Sequence, residues 1–241
     1  ESISHHVLQD YSNMDLHQKI TVKRPNLWSA STPYLYNLKA SLYLEDDLVD
    51  EFTINIGIRS VEYTIDNGLL INGKPEKLKG VCLHHDAGCL GAAVPIEIWR
   101  YRLNNLKDMG CNAIRPSHYP FAPEFYNLCD EMGFYVMDEA FDEWRYGNQW
   151  GFTEDNFGKV AYGYHKYFDQ WARTDLTKMI LRDRNHPSVI MYSIGNEIPD
   201  QRKKEGAKTA EYLINICHEL DSTRLVTAGC DFIADANQTG F

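Results

Sequence analysis

The residues of this sequence best suited to chemistry stand at the ends of short apolar runs. One run, Val189 to Ile194, follows the proline stop at Pro187 and finishes on Gly195, Asn196 and Glu197. A buried strand that ends on a carboxylate presents it where parallel α/β folds meet their ligands. The competing reading is that Glu197 caps a helix beginning near Asp200. Three other runs end alike: Leu78 to Leu83 in His84, His85 and Asp86, Asn112 to Arg115 with His118 just beyond, and Phe134 to Met137 in Asp138 and Glu139. Singly, each has a structural explanation, Arg115 as a partner of Glu139 and Asp138 as a turn cap. Jointly they describe one polar rim.

Two chemistries suit such a rim. A metal hydrolase needs ligands on alternate strand positions, which His84 and Asp86 satisfy while His85 faces away. The usual pair of histidines one residue apart is missing, so no metal site is assigned. A glycosidase needs two carboxyl groups flanking the scissile bond, with histidine, arginine and asparagine donors for sugar hydroxyls. In that role Glu197 is protonated when the leaving oxygen departs and ionised when water attacks. Adjacent strand residues point to opposite faces, so Asn196 and Glu197 both reach the site only if the strand breaks or ends at Gly195. The loop from Phe141 to Gly163 carries Trp144, Tyr146 and Trp150, flat faces suited either to sugar stacking or to packing beneath the loop.

The elements that must position these residues follow from the change of period along the chain. Asp15 to Val22, Tyr36 to Leu44 and Leu48 to Ile56 alternate as antiparallel strands, part of an all-β module. Turn signals at Asp66-Asn67-Gly68 and Asn72-Gly73-Lys74 follow, and a domain boundary is placed near Ile65, giving domains 1–65 and 66–241. Beyond Lys77 strands alternate with helices over Pro95 to Met109, Pro123 to Met132, His165 to Arg184 and Asp200 to Leu220, and Leu225 to Ala228 supplies a fifth strand. Such alternation predicts an α/β fold, a partial (β/α)8 TIM barrel of about five units. A doubly wound sheet is the alternative, weakened because no Gly-x-Gly-x-x-Gly follows any strand.

The segments Asn26-Leu27-Trp28-Ser29 through Pro33-Tyr34-Leu35-Tyr36, Gly57-Ile58-Arg59, Asn72-Gly73-Lys74-Pro75, Asn112 to Pro120, Asp138-Glu139-Ala140 and Arg182 to Glu197 resemble glycoside hydrolase family 2, its β-galactosidases in particular. The resemblance spans nearly the whole chain. It implies the end of an immunoglobulin-like β-sandwich followed by the first half of the catalytic barrel, and a retaining mechanism on β-glycosides. Glu197 matches the general acid/base and Asn196 the residue that holds the sugar 2-hydroxyl. His84 and His118 match histidines lining the sugar subsite, and Arg115 the arginine supporting the nucleophile. Some relatives bind magnesium through a Glu-x-His segment after strand three. Glu143-Trp144-Arg145 stands there instead, so no cofactor is expected, with Arg145 supplying positive charge beside Glu143 and Glu197. The family's nucleophile lies on a later strand, so it is expected outside these residues and the segment alone is expected to be inactive.

Composition bounds the remaining possibilities. In 241 residues, 44% hydrophobic content fills a real core. A net charge of -10 with no basic block beyond Arg202 to Lys204, read as a solvated helix face, argues against nucleic acid and anionic membranes as partners. No apolar run is long enough to span a bilayer. The six cysteines form no Cys-x-x-Cys pair and read as reduced core residues, which leaves cytoplasm and periplasm both open. The chain begins without Met or a leader and is expected to be an excised segment. A carbohydrate is the expected partner, a homo-oligomer is left open, and a non-catalytic carbohydrate-binding or structural module is the alternative function.

Overall fold

The computed structural model describes residues 2–7, 13–147 and 163–240. Strand β1 (Tyr36–Leu44) pairs antiparallel with β2 (Asp47–Ile56) across a turn in which Glu45 takes the left-handed conformation. The strand expected over Asp15 to Val22 does not form: those residues are exposed and join no ladder among the described residues. Alternation alone cannot make a strand where the backbone N–H and C=O groups find no second strand. Strands β3 (Val61–Thr64), β4 (Gly68–Ile71) and β5 (Lys74–Pro75) form a three-stranded antiparallel sheet. Ile65, near which the domain boundary is placed, lies in the turn between β3 and β4.

The remainder is a five-stranded parallel sheet of β6 (Gly80–His84), β7 (Ala113–Ser117), β8 (Tyr135–Glu139), β9 (Val189–Asn196) and β10 (Leu225–Gly229). Between them run α1 (Ile96–Asp108), α2 (Pro123–Met132), α3 (Phe168–Asp183) and α4 (Gly206–Leu220), and α5 (Ile233–Thr239) follows β10. Spatial order equals chain order. A doubly wound sheet reverses direction at a switch point; this one never does, which makes it part of a barrel. The helix expected from Asp200 starts later. Pro199–Arg202 form one 3-10 turn, Lys203 is extended, and α4 begins at Gly206.

Strand periodicity sorts the side chains onto two faces. Ile114, Val136, Tyr192 and Ile194 pack with Leu103, Phe125, Leu176 and Leu213 from the helices. On the other face, Arg115 and Glu139 occupy positions that the helices do not cover. The N-terminal ends of the strands are closed by the preceding segment. Trp28, wholly buried, stacks edge-on against Tyr135 and donates its indole N–H to the Asp130 carbonyl at 2.9 Å. Arg59 donates to the carbonyls of Pro187 and Val189, both at 2.5 Å, and burial pushes its guanidinium down to about 10. Chemistry is therefore left to the opposite, C-terminal end.

Candidate active site

Glu139 is the hub at that end. Its side chain is fully buried on β8, yet both oxygens are occupied. Oε2 accepts from Arg115 Nε at 2.6 Å and from Ser193 Oγ at 2.6 Å, while Oε1 meets His118 Nδ1 at 2.7 Å. Burying a carboxylate is costly unless it is paired and hydrogen-bonded, and this one is both. The Arg115 guanidinium reaches onward: Nη2 donates to Asn196 Oδ1 at 2.9 Å. That bond fixes the Asn196 amide, whose Nδ2 points to Asp142 Oδ1 at 3.4 Å. His84, exposed at the end of β6, stands edge-on to His118 with ring centroids 5.4 Å apart. Strands β6 to β9 thus converge on one polar cluster.

The local backbone resolves how Asn196 and Glu197 share this end. The β9–β10 ladder passes from Ser193 opposite Thr227 to Asn196 opposite Gly229, so β9 carries an extra residue over this stretch. Such a bulge breaks the alternation that otherwise sends neighbours to opposite faces. Gly195 is the residue that fits there: a Cβ on it would meet Trp144 Nε1 at 2.9 Å and Ile198 at 2.8 Å. The strand then ends, and Glu197 turns left-handed at φ 45° with its N–H on the Gly229 carbonyl at 2.7 Å. A non-glycine residue held there marks a site worth reading for function. Glu197 is exposed, and its carboxylate makes no hydrogen bond or ion pair among the described residues.

The cluster therefore joins His84, Arg115, His118 and Asn196 directly, with Glu197 adjacent in the chain. Sequence reasoning placed Glu139 on the rim and as a partner for Arg115, without making it the hub, and did not see Ser193 or Asp142. The signal available was period two: Asp138 and Glu139 look to opposite faces, so one of the two looks inward. Asp138 faces the helices, where Tyr126 donates to it at 2.6 Å, rather than capping a turn. Of the aromatics considered for sugar stacking, Trp144 is wholly buried, its indole N–H on the Ile194 carbonyl at 2.6 Å. It supports the strand end and offers no face to a ligand. Tyr146 is half exposed, and Trp150 lies outside the described residues.

The segment Glu143-Trp144-Arg145 does not place Arg145 beside Glu143 and Glu197 as expected. Arg145 turns to Asp169, at 2.6 Å, and to Thr209. His165 is a partner of Glu143, its Nδ1 and backbone N–H meeting Oε1 at 2.8 and 2.9 Å. A carboxylate already engaged in this way is a poor donor for a divalent cation. Among the described residues no group of three His, Cys, Asp or Glu side chains is arranged to hold a metal ion. The alternative pair of His84 and Asp86 does not assemble either, because Asp86 is drawn toward Arg102, at 3.8 Å.

Two family models match the chain: "Glycosyl hydrolases family 2, TIM barrel domain" over residues 63–238 and "Glycosyl hydrolases family 2" over residues 2–59. The chain belongs to glycoside hydrolase family 2. Its parallel sheet is the family's catalytic barrel in part, and the segment before it is part of the family's immunoglobulin-like sandwich. A β-galactosidase of Bacteroides ovatus is 42% identical over 89% of this chain and 28% of its own length. A glycosyl hydrolase family 2 structure from Bacteroides cellulosilyticus superposes with a TM-score of 0.80, at 44% identity, over 89% of this chain and 26% of its own. A β-D-glucuronidase structure from Dictyoglomus thermophilum gives a TM-score of 0.73 at 35% identity, over 86% and 35%. The chain spans between a quarter and about a third of these relatives' lengths.

Proposed function

We propose that the protein containing this chain is a retaining glycosidase of β-glycosides, most like a β-galactosidase, with Glu197 as general acid/base. The observation that carries the reading is the contrast at the end of β9. Asn196 is held by Arg115, which is held by Glu139, while the next residue presents a carboxylate free of described partners. A positioned amide suits a sugar hydroxyl, and an accessible carboxyl suits proton exchange with a leaving oxygen. His84 and His118 would line the sugar subsite, and Arg115, close to both Glu139 and Asn196, would steady the second carboxylate. We take that nucleophile to be contributed from outside these 241 residues, which leaves the segment alone inactive. Similarity to both a β-galactosidase and a β-D-glucuronidase supports β-glycosides as the substrate class.

The test is hydrolysis of aryl β-glycosides by the parent protein and its Glu197→Gln variant. Loss of general acid/base assistance should lower kcat by roughly 10²- to 10⁴-fold. Added azide, which needs no general base, should restore turnover of an activated aryl substrate and yield the β-glycosyl azide. Unchanged turnover in Glu197→Gln would remove Glu197 from the mechanism. A parent protein that binds but never cleaves β-glycosides would favour a carbohydrate-binding module.

A further inference from the structure

The run Arg202-Lys203-Lys204 does not lie on a helix face. Arg202 closes the 3-10 turn Pro199–Arg202, Lys203 is extended and Lys204 lies in the turn before α4, on the same end of the sheet as the candidate site. A cavity of about 550 Å³ opens beside it, lined by Tyr146, Pro199, Arg202, Lys203, Asp235 and Gln238. These residues come from the segments following β8, β9 and β10, so the cavity belongs to the C-terminal rim, where barrel enzymes bind their substrates. Its volume is that of a small-molecule site. Pro199 follows Glu197 by two residues, which limits their Cα separation to about 7 Å.

Position and charge together restrict what the cavity would take. Arg202 is paired with Asp235 at 2.8 Å and lies over the Phe232 ring at 4.5 Å. Lys203 sits 5.3 Å above the Tyr146 ring and makes no ion pair among the described residues. The lining therefore keeps one uncompensated cation over an aromatic face, in a chain whose net charge is -10. The Tyr146 ring beneath it holds the Lys203 ammonium in place, and a positioned ammonium suits a ligand that bears a carboxylate. A general acid stands on the leaving-group side of the bond it cleaves, and this cavity, lined by Pro199 two residues beyond Glu197 and by none of the histidine cluster, is placed to suit the leaving group.

We propose that this cavity is a leaving-group subsite selecting β-glycosides whose aglycone carries a carboxylate, such as a uronic acid residue, with Lys203 as the selecting cation. The proposal rests on the glycosidase reading above. The test uses the full parent protein and two isosteric substrates on whichever glycone it releases from 4-nitrophenyl β-glycosides: the 4-carboxyphenyl and 4-carbamoylphenyl glycosides. The carboxylate should be preferred in kcat/KM by roughly two- to fivefold, the range of an exposed charge pair. That ratio should fall toward one in Lys203→Gln and, in the unaltered protein, at high salt. A ratio at or below one in the unaltered protein, or a preference that Lys203→Gln leaves intact, overturns the proposal. Absence of cleavage of every 4-nitrophenyl β-glycoside would instead strike the glycosidase reading itself.

Discussion

At the scale of single residues, the site depends on a buried carboxylate that does not itself face solvent. Glu139 ties Arg115, Ser193 and His118 together, and Arg115 extends the tie to Asn196. Glu139→Gln keeps the shape but removes the charge, leaving the guanidinium with a neutral acceptor. Breaking a buried pair in this way costs about 3–5 kcal/mol when the remaining charge is stranded; Arg115 keeps part of its exposure, so the lower end is expected. Chemical denaturation of Glu139→Gln beside the unaltered protein checks this, and a loss below about 1 kcal/mol would show that the pair is not what holds the rim. Glu197→Gln, by contrast, should leave stability within about 0.5 kcal/mol, because an exposed carboxylate without described partners holds nothing in place. The strand-end polar residues were legible because each follows an apolar run. The hub was not, because which of Asp138 and Glu139 looks inward depends on a register set by strands more than forty residues away in sequence, as in the pairing of Glu139 with Ser193.

At the scale of elements, the five strands and the first helices were readable because glycine and proline punctuate them. Gly133 ends α2 in the left-handed conformation, and Pro123 opens it. Less legible were Asp15 to Val22, which alternates without a partner strand, and the start of α4, where Pro199 nucleates only one turn. The link between β8 and α3 makes a prediction of its own. Asp138 is fully buried; Tyr126 of α2 donates to Oδ1, and Oδ2 has no donor among the described residues. It lies against Asp183 of α3, whose oxygens already accept from Arg182 at 2.7 and 2.6 Å. Burial first, and the Asp183 charge second, hold the Asp138 carboxyl well above the usual range, which favours its protonated form in the native state, where the proton makes the buried carboxyl itself a donor. The unfolded chain releases that proton near the ordinary carboxylate value, so this group's contribution is full at low pH and declines as pH rises toward the native value. Asp138→Asn carries its donor at every pH. Its stability relative to the unaltered protein should therefore improve by about 1.4 kcal/mol for each pH unit above the carboxylate range, as far as the native pKa. Denaturant midpoints between about pH 5 and 7 decide it; parallel curves would mean that Asp138 is ionised in the native state.

At the scale of the whole molecule, each end of the sheet has a separate task. Trp28, Ala30 and Ile71 close the strand N-termini against Tyr135, Ala113 and Ile190, and Gly133 comes so near that a Cβ would lie 2.4 Å from the Ala30 carbonyl oxygen. That closure leaves the flanks of the sheet unattended. Among the described residues β6 and β10 each have one neighbouring strand, and their outer N–H and C=O groups form ready templates for another chain. Leu225 on β10 is 49% exposed, and β1 and β2 add Leu42, Phe52 and Ile54 to the apolar surface. A purified chain of these 241 residues should consequently associate with itself as concentration rises. Leu225→Lys should weaken the association, because a charge on an edge strand opposes pairing with a second edge and strips away part of the apolar contact. Sedimentation velocity across a concentration series reads both effects. A sharp monomer boundary throughout would show that the open flanks are shielded. Association unaltered by Leu225→Lys would move the contact from the barrel edge to the exposed face of β1 and β2, where Phe52→Lys should abolish it instead.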